Sequence, residues 1–133
     1  MNNALAALQS AIVAALQAHP VLSAELSGIY DGPPPRAVFP YLAIGDALVT
    51  DWSTKTAIGK EIRLPLTLWD NGDDAARMSD LMTHVEAAIA ALPREIPGWH
   101  VGSVAFLRSM IVRDAAGPWA ALVEHRIRML AVP

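Results

Sequence analysis

A strict alternation of side chains in the middle of the chain restricts the fold more than any other sequence feature. Its apolar members and the residues between them are Ile62, Leu64, Leu66, Leu68 and Arg63, Pro65, Thr67, Trp69. A two-residue period places each set on its own side of an extended strand, so one face is buried. Pro65 has no N–H for a ladder hydrogen bond, which predicts an edge position or a bulge there.

The last third of the chain predicts a long β-hairpin. Its strands are about Trp99–Asp114 and about Trp119–Val132, joined by the turn Ala115–Pro118. On the return strand one face carries the apolar residues and one histidine: Trp119, Ala121, Val123, His125, Ile127 and Met129. The other face carries Glu124, Arg126 and Arg128. A four-residue turn would add Val104, Phe106, Met110 and Val112 to the apolar face and set Arg108 opposite His125.

Two helices are predicted from three- and four-residue spacing of apolar side chains. The first spans residues 3–18, is capped by Asn2 or Asn3, and carries the stripe Leu5, Leu8, Ile12 and Leu16. The second follows the turn at Asp70–Asp74, ends at Pro93, and carries Met78, Leu81, Val85, Ile89 and Leu92. A short helical turn is expected near Val21–Leu26.

Two further strands complete the predicted order. One is short, near Ile29–Gly32, and the other runs from Phe39 to about Thr50, followed by a loop or projecting arm at Asp51–Lys60. The order is α-β-β-β-α-β-β, which predicts an α+β fold: an antiparallel β-sheet with two main helices packed on one face. We expect residues 1–133 to form a single domain.

Composition excludes several classes of protein. The chain is 53% apolar and 17% charged, against about 25% charged in typical domains, so another chain is one candidate cover for its surface. A net charge of −3 argues against a basic protein that coats nucleic acid. The sequence contains no cysteine, which excludes disulfides, thiolate metal sites and a cysteine nucleophile. No phosphate loop, nucleophile elbow or metalloprotease motif occurs, so we predict no catalytic, cofactor or metal site.

Aromatic and basic residues near strand ends are the candidate contact residues. Tryptophan and arginine are enriched at protein interfaces, while lysine and glutamate are depleted. The simpler interpretation is that the tryptophans cover the edges of the core and that the arginines form a solvated sheet face. The candidates for an oligomer interface are Trp52, Lys55, Arg63, Trp69, Trp119, Arg126 and Arg128.

Four segments, in their order and spacing, resemble one family of structural proteins. They are Ile29-Tyr30-Asp31-Gly32, Phe39-Pro40-Tyr41, Asp51-Trp52-Ser53-Thr54-Lys55-Thr56 and Leu68-Trp69-Asp70. The helix that follows and the hairpin around Val112-Arg113-Asp114 also match in order and length. This pattern is similar to the tail-completion or tail-terminator family of long-tailed bacteriophages and gene transfer agents. The turn Ala115–Pro118 departs from the family pattern in being less polar.

The resemblance implies a structural role without enzyme activity. It implies a ring, usually six-fold, that caps the head-proximal end of the tail tube, stops its polymerisation and joins it to the neck. The implied partners are other copies of the chain, the tail tube protein and a neck or head connector protein, with DNA passing through the pore without specific binding. The implied location is the bacterial cytoplasm during assembly and then the neck of the particle.

Two alternative functions remain open at this point. One is a small ligand-binding domain or enzyme centred on His125 and Arg108, which the assumed hairpin register brings together. The other is a different neck or head-completion protein. For His125, a hydrogen-bonded side chain at the edge of the core or at a subunit contact is the simpler interpretation.

Overall fold

Helices cover one face of a continuous sheet in the computed structural model, which describes residues 3–32, 34, 36–72, 75–113 and 117–133. The helices are α1 (Ala4–Ala18), α2 (Pro20–Glu25) and α3 (Ala76–Ala90). The strands are β1 (Ile29–Asp31), β2 (Tyr41–Ile44), β3 (Leu48–Asp51), β4 (Gly59–Asp70), β5 (Glu95–Ile96), β6 (Trp99–Arg113) and β7 (Trp119–Ala131).

The strands follow the order β1-β2-β4-β7-β6-β5, and β3 lies beside the first half of β4. β1 and β2 are parallel, and every other pairing is antiparallel. α3 packs on β4, β6 and β7 and contacts α1, which in turn contacts α2 and β5. The core lies between this helical layer and one sheet face, so the predicted α+β class and its antiparallel sheet are confirmed.

The predicted helical stripes are the buried faces of α1 and α3. Leu8, Ile12 and Leu16 are fully buried. Asn3 caps α1, because its Oδ1 accepts hydrogen bonds from the backbone N–H groups of Leu5 at 2.9 Å and Ala6 at 3.2 Å; this satisfies donors that a helix start leaves unpaired. The alternative cap Asn2 and residues 73–74 of the turn before the second helix lie outside the described residues.

None of the helices in the described ranges is both long enough and apolar enough to cross a membrane.

The single strand predicted from Phe39 to about Thr50 is wrong, because β2 and β3 are separate strands. Both lie on the same side of β4, and the break between them falls opposite Pro65. The Pro65 carbonyl oxygen accepts a hydrogen bond from the Gly45 N–H at 2.9 Å, so the backbone polar groups of Pro65 face the break. Pro65 has no N–H to offer, and β4 therefore tolerates it inside the sheet rather than at an edge.

The hairpin is confirmed, but the face assigned to its far half is wrong. Irregularities in β6 at Val101/Ser103 and at Phe106/Arg108 shift its register against β7. Val104 and Phe106 lie on the helix-covered side as predicted. Beyond the second bulge, Met110 and Val112 pair with Leu122 and Ala120 instead, on the opposite side of the sheet. Of the predicted final turn, 115 and 116 lie outside the described residues, as does Asp114.

Candidate assembly surfaces

The sheet face turned away from the helices, here called the outer face, carries a network of ion pairs. Glu61 on β4 accepts a hydrogen bond from Arg128 Nε at 2.8 Å and lies 4.0 Å from Arg126 Nε. The hydrogen bond from Arg128, together with the positive charge of both arginines, lowers the pKa of Glu61. Arg126 and Arg128, which the sequence offers as candidates for a contact with a neighbouring chain, therefore interact with a carboxylate of their own sheet.

A second cluster on the outer face centres on Glu124 of β7. Its Oε1 lies 3.3 Å from Arg63 Nη2 and 3.9 Å from Arg108 Nε. The side chains of Arg63 and Arg108 remain about half exposed. Exposed ion pairs of this kind contribute only about 0–1 kcal/mol to folding, so both guanidinium groups can also contact another molecule.

The connection between β3 and β4, residues 52–58, is here called the arm, and its base is closely tied. Trp52 donates its N–H to the Gly59 carbonyl at 2.9 Å, and Thr54 donates to the Ala57 carbonyl at 2.9 Å. A Cβ atom added at Gly59 would lie 2.2 Å from the Trp52 carbonyl oxygen, so only glycine allows this approach. Lys55 is exposed between the two ends of the turn.

Trp52, Trp69 and Trp119 each make contacts within the chain. The Trp52 ring lies 5.5 Å from the Arg128 guanidinium, which fixes the arm over the outer face. Trp69 stacks on Tyr41 with 6.5 Å between ring centroids. Trp119 donates from Nε1 to the Gly72 carbonyl at 3.1 Å, and Arg113 lies 4.7 Å above its ring.

The structure therefore divides the seven sequence candidates between two ends of the sheet. Trp52, Lys55, Arg126 and Arg128 belong to the end that carries the arm, with Arg63 next to them. Trp69 and Trp119 lie at the other end, where β4 finishes and β7 begins.

His125 is buried on the helix-covered side, with 3% of its surface exposed. Its neighbours across the strands are Leu64 on β4 and Phe106 on β6, whose ring meets the imidazole edge-on at 5.7 Å. Its Nδ1 atom has no hydrogen-bond partner among the described residues. Removal from water lowers the pKa of His125, because burial disfavours the charged imidazolium.

The site proposed from His125 and Arg108 is not assembled, and that prediction is wrong. Arg113 pairs with Trp119, one position earlier than a four-residue turn requires, and this register places Arg108 opposite Glu124 rather than His125. The two side chains consequently lie on different sides of the sheet. Across the described ranges, no group of three or more histidine, aspartate or glutamate residues lies close enough together to hold a metal ion.

Exposed apolar residues form two further surfaces that the sequence candidates missed. One lies on β3 and in the arm, with Leu48 57% exposed, Val49 40% and Ile58 48%. The other lies on β6, with Phe106, Met110, Ile111 and Val112 all exposed. The adjacent apolar pair Leu48-Val49 could have drawn attention to the first surface. The second surface depends on the register of the hairpin and the bulge in β6, which no local pattern marks.

Comparison with known proteins adds a family assignment to this geometry. The family model described as tail completion protein gp17 matches residues 10–130. A relative, the tail completion protein gp17 of Bacillus phage SPP1, is 25% identical over 111 residues, which cover 84% of this chain and 82% of that protein.

Solved structures share the fold. A chain in the virion of a native gene transfer agent particle matches with a TM-score of 0.86 and 22% identity, covering 98% of this chain and 100% of that one. The structure of the bacteriophage SPP1 gp17 protein matches with a TM-score of 0.64 and 21% identity, covering 96% and 90%.

Proposed function

Since the chain belongs to the tail completion protein gp17 family, we propose that its copies form a closed ring, most simply a hexamer, at the head-proximal end of a tail tube. Its role is a structural one in the tail of a phage or phage-like particle, and not that of an enzyme. In the proposed mechanism the ring occupies the end of the growing tube, stops further addition of tube subunits and presents its other side to the neck.

The family match over residues 10–130 carries this proposal, and the surfaces of the subunit support it. Apolar residues stay exposed on β3 and on the far half of β6, at different edges of the sheet. Two unlike surfaces on one subunit favour head-to-tail contacts, which close into a ring when the rotation between subunits permits it.

The proposed partners are further copies of the chain, the tail tube protein and a neck or head connector protein. We place the tube or subunit contacts on the seven residues predicted from the sequence: Trp52, Lys55, Arg63, Trp69, Trp119, Arg126 and Arg128. Lys55 projects from the arm, whereas Trp52 holds the arm in position through Arg128. DNA passes through the central pore without specific binding, in keeping with a net charge of −3. Assembly takes place in the bacterial cytoplasm, and the protein then stays in the neck of the particle.

Deletion of the gene tests this function directly. In a strain that produces the particles, loss of the chain should give tails of uncontrolled length, and the wild-type gene supplied in trans should restore a uniform length. Electron micrographs of negatively stained particles give the length distribution. Tails of normal length beside heads that leak DNA would instead identify a head-completion protein, and the tube-capping proposal would be abandoned.

Purified protein gives a second test. Native mass and electron microscopy should show a ring with a central hole, either in solution or on the ends of isolated tail tubes. A chain that remains monomeric in both settings contradicts ring formation.

A further inference from the structure

In the part of the chain that the structure describes, two of the open edges of the sheet, those of β3 and β6, lie on opposite sides of β4 and β7. Among the described residues, β3 pairs only with β4, while β6 pairs with β7 and, at Trp99 and His100 alone, with β5. β4 and β7 lie between these edges. An open edge presents unpaired N–H and C=O groups, which form a template for a strand from another chain.

The β6 edge is least protected beyond its second bulge, in residues 109–113, here called the distal segment. Met110 is 48% exposed, Ile111 39% and Val112 51%. Exposed apolar side chains therefore lie on both faces of this stretch. Native proteins usually protect an edge with bulges, charges or a covering element, and the register within the distal segment is regular.

The β3 edge complements the distal segment in length and in apolar surface. β3 has 4 residues, close to the length of the distal segment, and Leu48 and Val49 are exposed on it. Val49 pairs with the buried-face residue Ile62, so Val49 and Leu48 point to opposite faces of the sheet. Both edges thus carry apolar side chains on both faces.

The charges of the two edges are also complementary. Residues 45–51 contain two carboxylates, Asp46 and Asp51, and no lysine or arginine. Residues 99–113 contain two arginines, Arg108 and Arg113, and no carboxylate. Opposite net charges on two edges favour their encounter and disfavour like-with-like pairing. In a register that pairs Val49 with Ile111 no aspartate lies directly opposite an arginine, so the charges give a preference between edges and not a set of ion pairs.

Strand directions permit this pairing between copies in one continuous sheet. Three antiparallel steps separate β3 from β6, through β4 and β7, so β3 and β6 run in opposite directions. A second copy rotated about an axis along the strands therefore brings its β3 antiparallel to β6 of the first. In one register the helix-covered sides of the two copies are continuous. In that register Val49 lies opposite Ile111 on the helix-covered side, and Leu48 lies opposite Val112 on the outer face.

We propose that β3 of one copy adds as an antiparallel strand to the distal segment of the next copy. The contact is head-to-tail, because each subunit uses β3 towards one neighbour and β6 towards the other. This inference rests on the ring proposed above and identifies the surface that builds it.

Introduced cysteines test the contact without background, because the chain contains no cysteine. Under mild oxidation the double variant Val49→Cys/Ile111→Cys should give a ladder of bands above dimer on a non-reducing gel, up to the size of the ring. Either single variant should stay unlinked, and an equal mixture of the two single variants should stop at dimer. The matched control is Val38→Cys/Ile111→Cys, since Val38 is 73% exposed and lies outside β3; it should give no ladder.

A charge on the distal segment supplies a second measurement. Ile111→Lys should raise the concentration needed for ring assembly about tenfold or more, equivalent to about 1.4 kcal/mol or more. Val38→Lys, at an exposed position outside both edges, should leave assembly unchanged. Urea unfolding of both variants at low concentration should match the wild type, which shows that the monomer still folds.

The outcomes separate this inference from the proposed function. Rings in electron micrographs without a cysteine ladder overturn the β3–β6 contact and leave the ring in place. A covalent dimer of Ile111→Cys alone indicates a symmetric β6–β6 contact and also overturns it. Absence of both rings and ladder, in solution at high concentration and on isolated tail tubes, overturns both proposals.

Discussion

Replacement of His125 by leucine measures how the buried imidazole changes the free energy of unfolding and its pH dependence. The imidazole is 3% exposed, and its Nδ1 has no hydrogen-bond partner in the described part of the chain. Burial lowers its pKa below the usual value of 6.5. The folded state therefore binds fewer protons than the unfolded state at mildly acidic pH. Stability is complete above the unfolded-state pKa and falls as the pH drops below it.

The size of the effect follows from proton linkage. At pH 5.5, one unit below the unfolded-state pKa, His125 lowers the free energy of unfolding by at most about 1.4 kcal/mol relative to pH 8. This limit applies while the folded-state imidazole remains neutral. The charged neighbours on β7, Glu124 and Arg126, lie on the outer face and do not face the ring. His125→Leu removes this contribution, so its stability should fall less than that of the wild type between pH 8 and pH 5.5.

Urea titrations followed by tryptophan fluorescence at the two pH values give the measurement, at a concentration below assembly. At pH 8 the leucine variant should lie within about 1 kcal/mol of the wild type, because no described hydrogen bond of Nδ1 is lost. His100→Gln is the control, since His100 lies at the start of β6 with its side chain 45% exposed, and this variant should keep the dependence due to His125. The same pH dependence in wild type and His125→Leu would falsify the reasoning. A loss above about 2 kcal/mol at pH 8 would contradict it as well.

Three further substitutions test the fold around the assembly surfaces. Leu66→Ala in the fully buried face of β4 should lower the free energy of unfolding by about 2–5 kcal/mol. Leu48→Ala on the open edge should change it by less than about 0.5 kcal/mol in urea unfolding of the monomer. Equal losses in the two variants would contradict the assigned burial. Gly59→Ala should destabilise by about 1–3 kcal/mol, because its Cβ would lie 2.2 Å from the Trp52 carbonyl oxygen, and an unchanged fluorescence spectrum and midpoint would show that the arm is not held there. Asp70→Ala removes the acceptor for the Asn71 N–H at 2.9 Å and should cost about 1–3 kcal/mol in thermal or urea unfolding, while Asp80→Ala on the exposed side of α3 should cost far less.

Local patterns predicted the elements well where the signal lay within one segment. The apolar stripes of α1 and α3 and the alternation in β4 follow from helix and strand periods, which act over a few residues. The turn residues and prolines marked the ends of these elements. The family resemblance, and with it the structural role, also came from short segments in a fixed order.

The candidate site was less predictable, because its geometry depends on contacts between distant segments. Trp52 and Arg128 were both identified from the sequence, yet their contact with each other arises only when the arm folds over β7. Arg108 was assigned to His125 from an assumed register. Arg113, and not the next residue, pairs with Trp119, which shifts that register by one position and exchanges the faces of residues 108–113. The bulge between Phe106 and Arg108 shifts it by one position more, so Val104 and Phe106 keep the predicted face.

The sequence by itself determined a helix-covered antiparallel sheet, because hydrophobic burial acts on the side-chain period of each segment. It also determined which residues can make apolar contacts and which carry a charge. Only the tertiary structure decided that β2 and β3 break opposite Pro65. It also decided that β3 and the distal segment of β6 pair with no further strand of the described chain and lie at opposite edges. Strand pairing and bulges are set by backbone hydrogen bonds between segments far apart in the chain. The periodicity of one segment does not identify the strand with which it pairs.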